Sequence, residues 1–65
     1  MDYILYDGRG IDEKGKESAM VMDAFEANTD KRAMKYVRFM WSGQNCALWC
    51  KGRLVKYYEE VGKNE

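Results

Sequence analysis

The sequence contains no histidine, and this absence weakens every enzymatic interpretation. Histidine is the commonest general base near neutral pH and the commonest nitrogen ligand of transition metals. Ser18 and Ser42 therefore have no imidazole to activate them. A pair of carboxylates acting on a substrate would need a cleft, which a chain of 65 residues can hardly shape. We expect a protein that is not an enzyme.

Cysteine is scarce, with Cys46 and Cys50 as the two thiols of the chain. Two cysteines without histidine cannot complete a tetrahedral zinc site. If both lie on one strand, a rise of about 3.3 Å per residue separates their Cα atoms by about 13 Å. A disulfide requires less than about 7 Å between these atoms. The sequence therefore predicts free, buried thiols, no metal and no cofactor.

Long hydrophobic runs are also absent, so the chain has no segment that could span a bilayer. The N-terminal residues lack the basic and then apolar order of a signal peptide. We expect a soluble, cytoplasmic protein without a membrane partner.

The glycine-containing segment Asp7-Gly8-Arg9-Gly10 does not have the spacing of a phosphate-binding loop. A calcium loop is excluded because Arg9 and Ile11 stand where oxygen ligands would be needed. We interpret this segment as a turn.

The chain has only nine branched aliphatic residues, which is few for a core even in one small domain of residues 1–65. Its nine aromatic residues and five methionines must therefore supply much of the buried area.

The segment from Thr29 to Gly43 is the convincing amphipathic helix of the sequence. Thr29 is a good N-cap, Asp30 suits the positive end of the helix dipole, and Gly43 is placed to end the helix in a left-handed cap. At about 100° per residue, one arc of the helix is predicted to face the core. This arc comprises Ala33, Met34, Tyr36, Val37, Met40 and Trp41.

Four strands are predicted around this helix. Residues 1–6 favour a strand, because Tyr3, Ile4, Leu5 and Tyr6 are apolar or favour β structure. Residues 18–27 fit either a buried strand or a helix, and we favour the strand because Asn28 and Thr29 begin a new helix at once. Lys51-Gly52 predicts a two-residue hairpin turn. It would pair Cys50 with Arg53, Trp49 with Leu54, Leu48 with Val55 and Ala47 with Lys56. Residues 59–65 are expected to form a frayed tail.

These elements predict a small α+β domain in the order β-β-α-β-β, with one helix packed on a four-stranded, mostly antiparallel sheet. A sheet covered by one helix leaves one face open, so Trp49, Tyr57 or Tyr58 could lie at the surface and be buried in an oligomer.

The net charge of zero conceals a division along the chain. Residues 1–30 carry eight acids and three bases, for −5, and residues 31–65 carry eight bases and three acids, for +5. The two halves could pair and cancel in the fold, or an acidic face could survive and attract a partner. The candidate partner-binding residues are Asp7, Asp12, Glu13, Glu17, Asp23 and Glu26.

Phe39 is out of place on the polar side of the helix. It lies among basic residues on the helical wheel, so it either packs under a loop or forms a basic-aromatic patch that binds a protein or stacks on a nucleobase. The residues of this alternative site are Arg32, Lys35, Arg38 and Phe39.

Three functions follow from these patterns. The first is a small interaction protein, a monomer or weak dimer, whose acidic face blocks or modulates a larger protein with a basic, nucleic-acid-binding groove. Phage-encoded inhibitors of host defence, such as anti-CRISPR proteins, offer an analogy in size and charge. The second is a nucleic-acid-binding module that uses the basic-aromatic helix face, although net neutrality counts against it. The third is a structural or assembly subunit.

Overall fold

The computed structural model describes residues 1–8 and 20–63. Within these ranges the elements are β1 (Asp2–Asp7), β2 (Val21–Glu26), α1 (Asp30–Met40), β3 (Cys46–Cys50) and β4 (Arg53–Tyr58). The strands form one sheet in the order β2-β1-β3-β4, and every neighbouring pair is antiparallel. The predicted order β-β-α-β-β and the α+β class are confirmed.

The ambiguous segment of residues 18–27 contains a strand, as favoured from the sequence. β2 spans Val21–Glu26 and pairs with β1, so that Tyr3 lies opposite Phe25 and Ile4 lies opposite Ala24. Residues 18 and 19 lie outside the described part of the chain. The good helix formers in this segment are overridden because β1 needs a pairing partner.

The helix begins as predicted but ends earlier. The Thr29 hydroxyl accepts a hydrogen bond of 3.2 Å from the backbone N–H of Arg32, which is the expected N-cap. At the other end the helix stops at Met40, and Trp41 donates its N–H to the Val37 carbonyl. Gly43 has a left-handed φ of +84°, but its N–H donates to the carbonyl of Val61. The predicted glycine cap is therefore wrong, because this N–H bonds to the C-terminal segment.

The core lies between α1 and one face of the sheet. Ala33 and Val37 of the helix are fully buried, whereas Met34, Tyr36 and Trp41 are half-buried around them. Met40 is 52% exposed, so its predicted place in the core is wrong. The remaining buried members of the core cluster come from the sheet and the segment after β4: Tyr3, Leu5, Cys46, Leu48, Cys50, Tyr58 and Val61.

The hairpin of β3 and β4 follows the predicted register for two pairs and then departs from it. Lys51 and Gly52 both have positive φ, 50° and 76°, as a two-residue type I′ turn requires. After the pair of Trp49 and Leu54, a bulge shifts the register, and Leu48 pairs with Lys56. The predicted pairing of Leu48 with Val55 is therefore wrong, as is that of Ala47 with Lys56. The shift turns Tyr58 inward, where it is only 3% exposed.

The segment after β4 packs against the domain, so the predicted frayed tail is wrong for residues 59–63. Val61 is 3% exposed and lies in the core cluster. Its N–H donates to the Gln44 carbonyl at 2.9 Å, and its carbonyl accepts from Gly43 at 2.9 Å. The N–H of Glu60 donates to Asn45 Oδ1 at 2.9 Å. These bonds tie the segment to the connection between α1 and β3.

Candidate functional surface

The outward side of α1 gathers the basic residues of the helix on one face. Lys31, Arg32, Lys35 and Arg38 are all exposed. At about 100° per residue they fall within an arc of roughly 120°. Together with Phe39 they form what we call the basic face. The structure thus brings together all the residues of the alternative site predicted from the sequence, and it adds Lys31.

Phe39 lies within this arc, four residues after Lys35 and seven after Arg32, and it is 84% exposed. The interpretation in which it packs under a loop is therefore wrong. An aromatic ring this exposed gains nothing from the core of its own domain. It is the most exposed large hydrophobic side chain of the described residues.

The acids of the described residues do not balance the charge of the basic face. α1 has one acid, Asp30, in its first turn, and that carboxylate is paired with Arg53 at 3.1 Å. Among residues 1–8 and 20–63, no acid lies within ion-pair distance of the four cations of the basic face. Their charges therefore add to a single positive field.

An open groove of about 480 Å³ runs along the same helix. Its lining combines one half-buried apolar side chain, Met34, with the charged groups of the basic face: Lys31, Arg32, Lys35 and Arg38. Residue spacing on the helix predicted the cations. The sequence did not show that Met34 would be accessible beside the cations, because its arc was assigned to the core.

The acidic residues of the leading hypothesis do not form one surface in the described structure. Asp12, Glu13 and Glu17 lie outside the described residues. Asp7 pairs with the buried Cys46, on the sheet face covered by α1, whereas Glu26 pairs with Asp2 on the opposite face. Strand alternation separates them.

Asp23, the third described member of the acidic set, is used inside the fold. Its Oδ2 accepts hydrogen bonds from the Tyr36 hydroxyl at 2.6 Å and from Trp41 Nε1 at 3.1 Å. Its Oδ1 accepts from the backbone N–H of Ala24 at 2.8 Å. The bond from Tyr36 is the largest cause of a pKa of Asp23 below the ordinary value. This carboxylate fastens β2 to α1.

Asp30 forms a second internal network. The Tyr3 hydroxyl donates to Asp30 Oδ1 at 2.7 Å, and Arg53 Nη2 donates to both carboxylate oxygens. The hydrogen bond from Tyr3 is the main cause that lowers the pKa of Asp30. Burial, reinforced by the Asp30 carboxylate, raises the pKa of Tyr3 to about 12. The Asp30 carboxylate is thus bonded to two side chains of its own domain, and the Tyr3 hydroxyl stays protonated at neutral pH.

The two thiols are free and buried, as predicted. Burial is the larger cause, and the nearby Asp7 carboxylate the smaller, of a Cys46 pKa raised to about 11. A thiol with this pKa is almost entirely protonated at neutral pH and is a poor nucleophile. Among residues 1–8 and 20–63, no three Cys, Asp or Glu side chains are grouped to hold a metal ion.

The chain matches no protein-family model, no curated protein and no solved structure. No helix of the described residues has the length and apolar character needed to cross a membrane.

Proposed function

We propose that the protein is a small, non-enzymatic interaction module that binds a larger protein through the basic face of α1 and thereby blocks or modulates it. The observation that carries this proposal is the 84% exposure of Phe39 among four cations. The partner surface that fits is an apolar pocket with an acidic rim.

The basic face contains two kinds of side chain, an apolar anchor and the cations around it, which contribute to binding in different ways. Burial of an exposed Phe ring contributes roughly 2 kcal/mol, which makes Phe39 the anchor of the contact. Lys31, Arg32, Lys35 and Arg38 surround the anchor and speed the encounter with an acidic partner, because exposed charges act mainly on the association rate. Met34 lines the groove on the side of the cations away from Phe39 and offers a separate, smaller apolar contact.

The structure favours the basic face over the acidic one as the contact. Asp7 and Glu26 lie on opposite faces of the sheet, and the carboxylate of Asp23 is bonded to α1. The acidic set would then depend on Asp12, Glu13 and Glu17, which lie outside the described residues.

Binding of single-stranded nucleic acid is a second candidate function, favoured by the same exposed ring. Aromatic side chains flanked by cations stack on unpaired bases while the cations contact phosphates. The net charge of zero opposes this candidate, because repulsion from acids elsewhere on the domain weakens the attraction of a polyanion.

The test is capture of a partner protein from a lysate of the source organism by immobilised variants. We expect Phe39→Ala, and separately Lys35→Glu combined with Arg38→Glu, to lose the protein that the wild type retains. Met40→Ala is the matched control, because Met40 is next to Phe39 and 52% exposed but lies outside the basic face. Retention by the basic-face variants with loss by a variant that combines Asp12→Lys, Glu13→Lys and Glu17→Lys would establish the acidic contact instead.

Nuclease treatment and a direct titration separate the two candidate functions. A protein bound directly stays on the resin after nuclease treatment of the lysate. For nucleic acid, the anisotropy of a fluorescein-labelled 20-nucleotide single strand would rise with added protein. The affinity of the protein for this strand would fall steeply with increasing salt, and Phe39→Ala would weaken it.

A further inference from the structure

The accessible apolar side chains on the outward side of α1 lie at two separate places. Phe39 is 84% exposed, and Met34 is half-buried but lines the groove. From Met34 to Phe39 the helix turns by about 140° and rises by about 7.5 Å. With side chains at a radius of about 5.5 Å, the two positions are roughly 13 Å apart. A single pocket of a partner therefore cannot hold both side chains.

Two cations of the basic face lie between these apolar side chains. Arg38 is about 40° around the axis from Met34, on the side toward Phe39. Lys35 is about 40° from Phe39, on the side toward Met34. Both cations are exposed. We call Lys35 and Arg38 the inner pair.

The other two cations of the basic face precede both apolar side chains. Lys31 and Arg32 lie in the first turn of α1 and are exposed. A surface that covers Met34 and Phe39 together does not have to cover this turn. We call Lys31 and Arg32 the outer pair.

We propose that the partner protein receives the outward side of α1 in an acidic cleft, on the basis of the proposed binding through the basic face. The cleft has one apolar pocket for Phe39, a shallower one for Met34, and carboxylates between them that bind the inner pair. Docking of a helix into a cleft is a common mode of protein recognition. α1 would block the partner by occupying a cleft that accepts a basic helix.

The inner pair requires acids in the cleft. A surface that contacts Met34 and Phe39 at once excludes water from Lys35 and Arg38 between them. A cation that loses its water without gaining a partner strongly opposes binding. A carboxylate opposite each cation removes this penalty, and the Arg38 guanidinium can donate two N–H bonds to one carboxylate. A wholly apolar cleft is therefore excluded.

The inner and outer pairs should act on different steps of binding. A charge that stays solvated at the rim of a contact acts mainly on the association rate. A charge that is paired and desolvated in the complex acts on the dissociation rate. Lys31 and Lys35 are the same residue type on the same helix, so they form a matched comparison.

Surface plasmon resonance tests this difference, with the partner protein that the wild type retains from the lysate purified and immobilised. A contact with one face of one helix is small and typical of transient complexes, so both rates can be measured. Lys35→Ala should dissociate about tenfold faster than the wild type. Lys31→Ala should associate more slowly but dissociate at the rate of the wild type.

Variants of Met34 test the second apolar pocket. Met34→Gln should dissociate about fivefold faster, because it places a polar amide in an apolar pocket. Met34→Leu keeps an apolar side chain of similar volume and should dissociate as the wild type does. Met40→Gln is the control outside the cleft. Met34 also packs against the core cluster, so circular dichroism first establishes that each variant is folded.

The outcomes separate the cleft from the proposed function. If folded Lys35→Ala or Met34→Gln dissociated as the wild type does while Phe39→Ala still lost binding, the cleft would be excluded and the contact through Phe39 would stand. Binding that survived Phe39→Ala would overturn both. A wild type that retained no protein from the lysate would also overturn both.

Discussion

The Tyr3 hydroxyl lies 2.7 Å from Asp30 Oδ1 and donates a hydrogen bond to it across 27 residues of sequence. The bond joins β1 to the first turn of α1, and Arg53 brings β4 to the same carboxylate. Asp23 joins β2 to α1 in a similar way, because it accepts hydrogen bonds from Tyr36 and Trp41. Two carboxylates therefore hold the helix at both edges of the sheet, and stability should respond to their ionisation.

We predict that the protein loses stability in acid. The folded-state pKa values of Asp23 and Asp30 lie below the ordinary value, so the unfolded chain binds more protons. Their contribution is complete above the ordinary Asp pKa of about 4 and is lost as the pH falls through the folded-state values. The melting temperature, measured by circular dichroism from pH 7 to pH 2, should fall below about pH 4.

Tyr36→Phe is the diagnostic variant for this prediction. It keeps the Asp23 carboxylate but removes the hydrogen bond that lowers its pKa most. The loss of melting temperature between pH 5 and pH 2 should therefore be smaller than in the wild type. If the melting temperature of Tyr36→Phe fell as much as that of the wild type over this pH range, Asp23 would not contribute through this bond.

We predict that Val37→Ala lowers the free energy of unfolding by about 2 kcal/mol, because it removes fully buried methyl groups and leaves a cavity. Met40→Ala and Lys35→Ala should each change it by less than about 0.5 kcal/mol, since both side chains are exposed. Urea unfolding of the three variants measures this. Equal losses at all three positions would mean that the helix packs on a different face.

We predict that Lys51→Asn stabilises the protein by about 0.5 kcal/mol, because Asn adopts the positive φ of a type I′ turn more readily than Lys. Lys51→Gln removes the same charge without this conformational benefit and is the matched control. Thermal unfolding at low protein concentration compares them. Equal stability of the Asn and Gln variants would argue against the type I′ conformation at this turn.

We predict that both thiols are unreactive in the folded protein. Cys46 is fully buried and Cys50 is 3% exposed, and the raised pKa of Cys46 keeps it protonated. Reaction with a thiol reagent at pH 8 should be slow in buffer and should give two adducts per chain in denaturant. Two rapid adducts in buffer would contradict the buried positions of the thiols.

The fold could be predicted from local signals, because each element carries its own. Thr29 caps α1, Lys51-Gly52 forms the turn, and the start of the helix after Asn28 leaves residues 21–26 to pair as a strand. The bulge between β3 and β4 could not be predicted, because Tyr57 and Tyr58 are the same residue type. Packing alone determines which of the two faces the core. The docking of Val61 depends on distant backbone groups of Gly43 and Gln44.

The candidate site was predictable in part, because residue spacing along the helix can be read from the sequence. Helical spacing alone places Arg32, Lys35 and Arg38 together. The exposure of Phe39 depends on whether another segment covers it, which the sequence does not show. The acids of the set that the structure describes do not form one surface, because Asp7 and Glu26 alternate to opposite faces of the sheet.

The bond from the Ala24 N–H to Asp23 Oδ1 also bears on aggregation. Met1 and Ala27 exchange both backbone hydrogen bonds, so the alternation of an antiparallel ladder turns the Ala24 N–H away from β1, toward the side on which the described residues add no further strand. An open edge is a template for growth of fibrils by strand addition, and here the neighbouring carboxylate already occupies one of its donors. Protonation of Asp23 weakens this protection together with the attachment of β2 to α1. Acid is therefore predicted to free the Ala24 N–H at the edge of β2 at the same pH at which it loosens the attachment of β2 to α1.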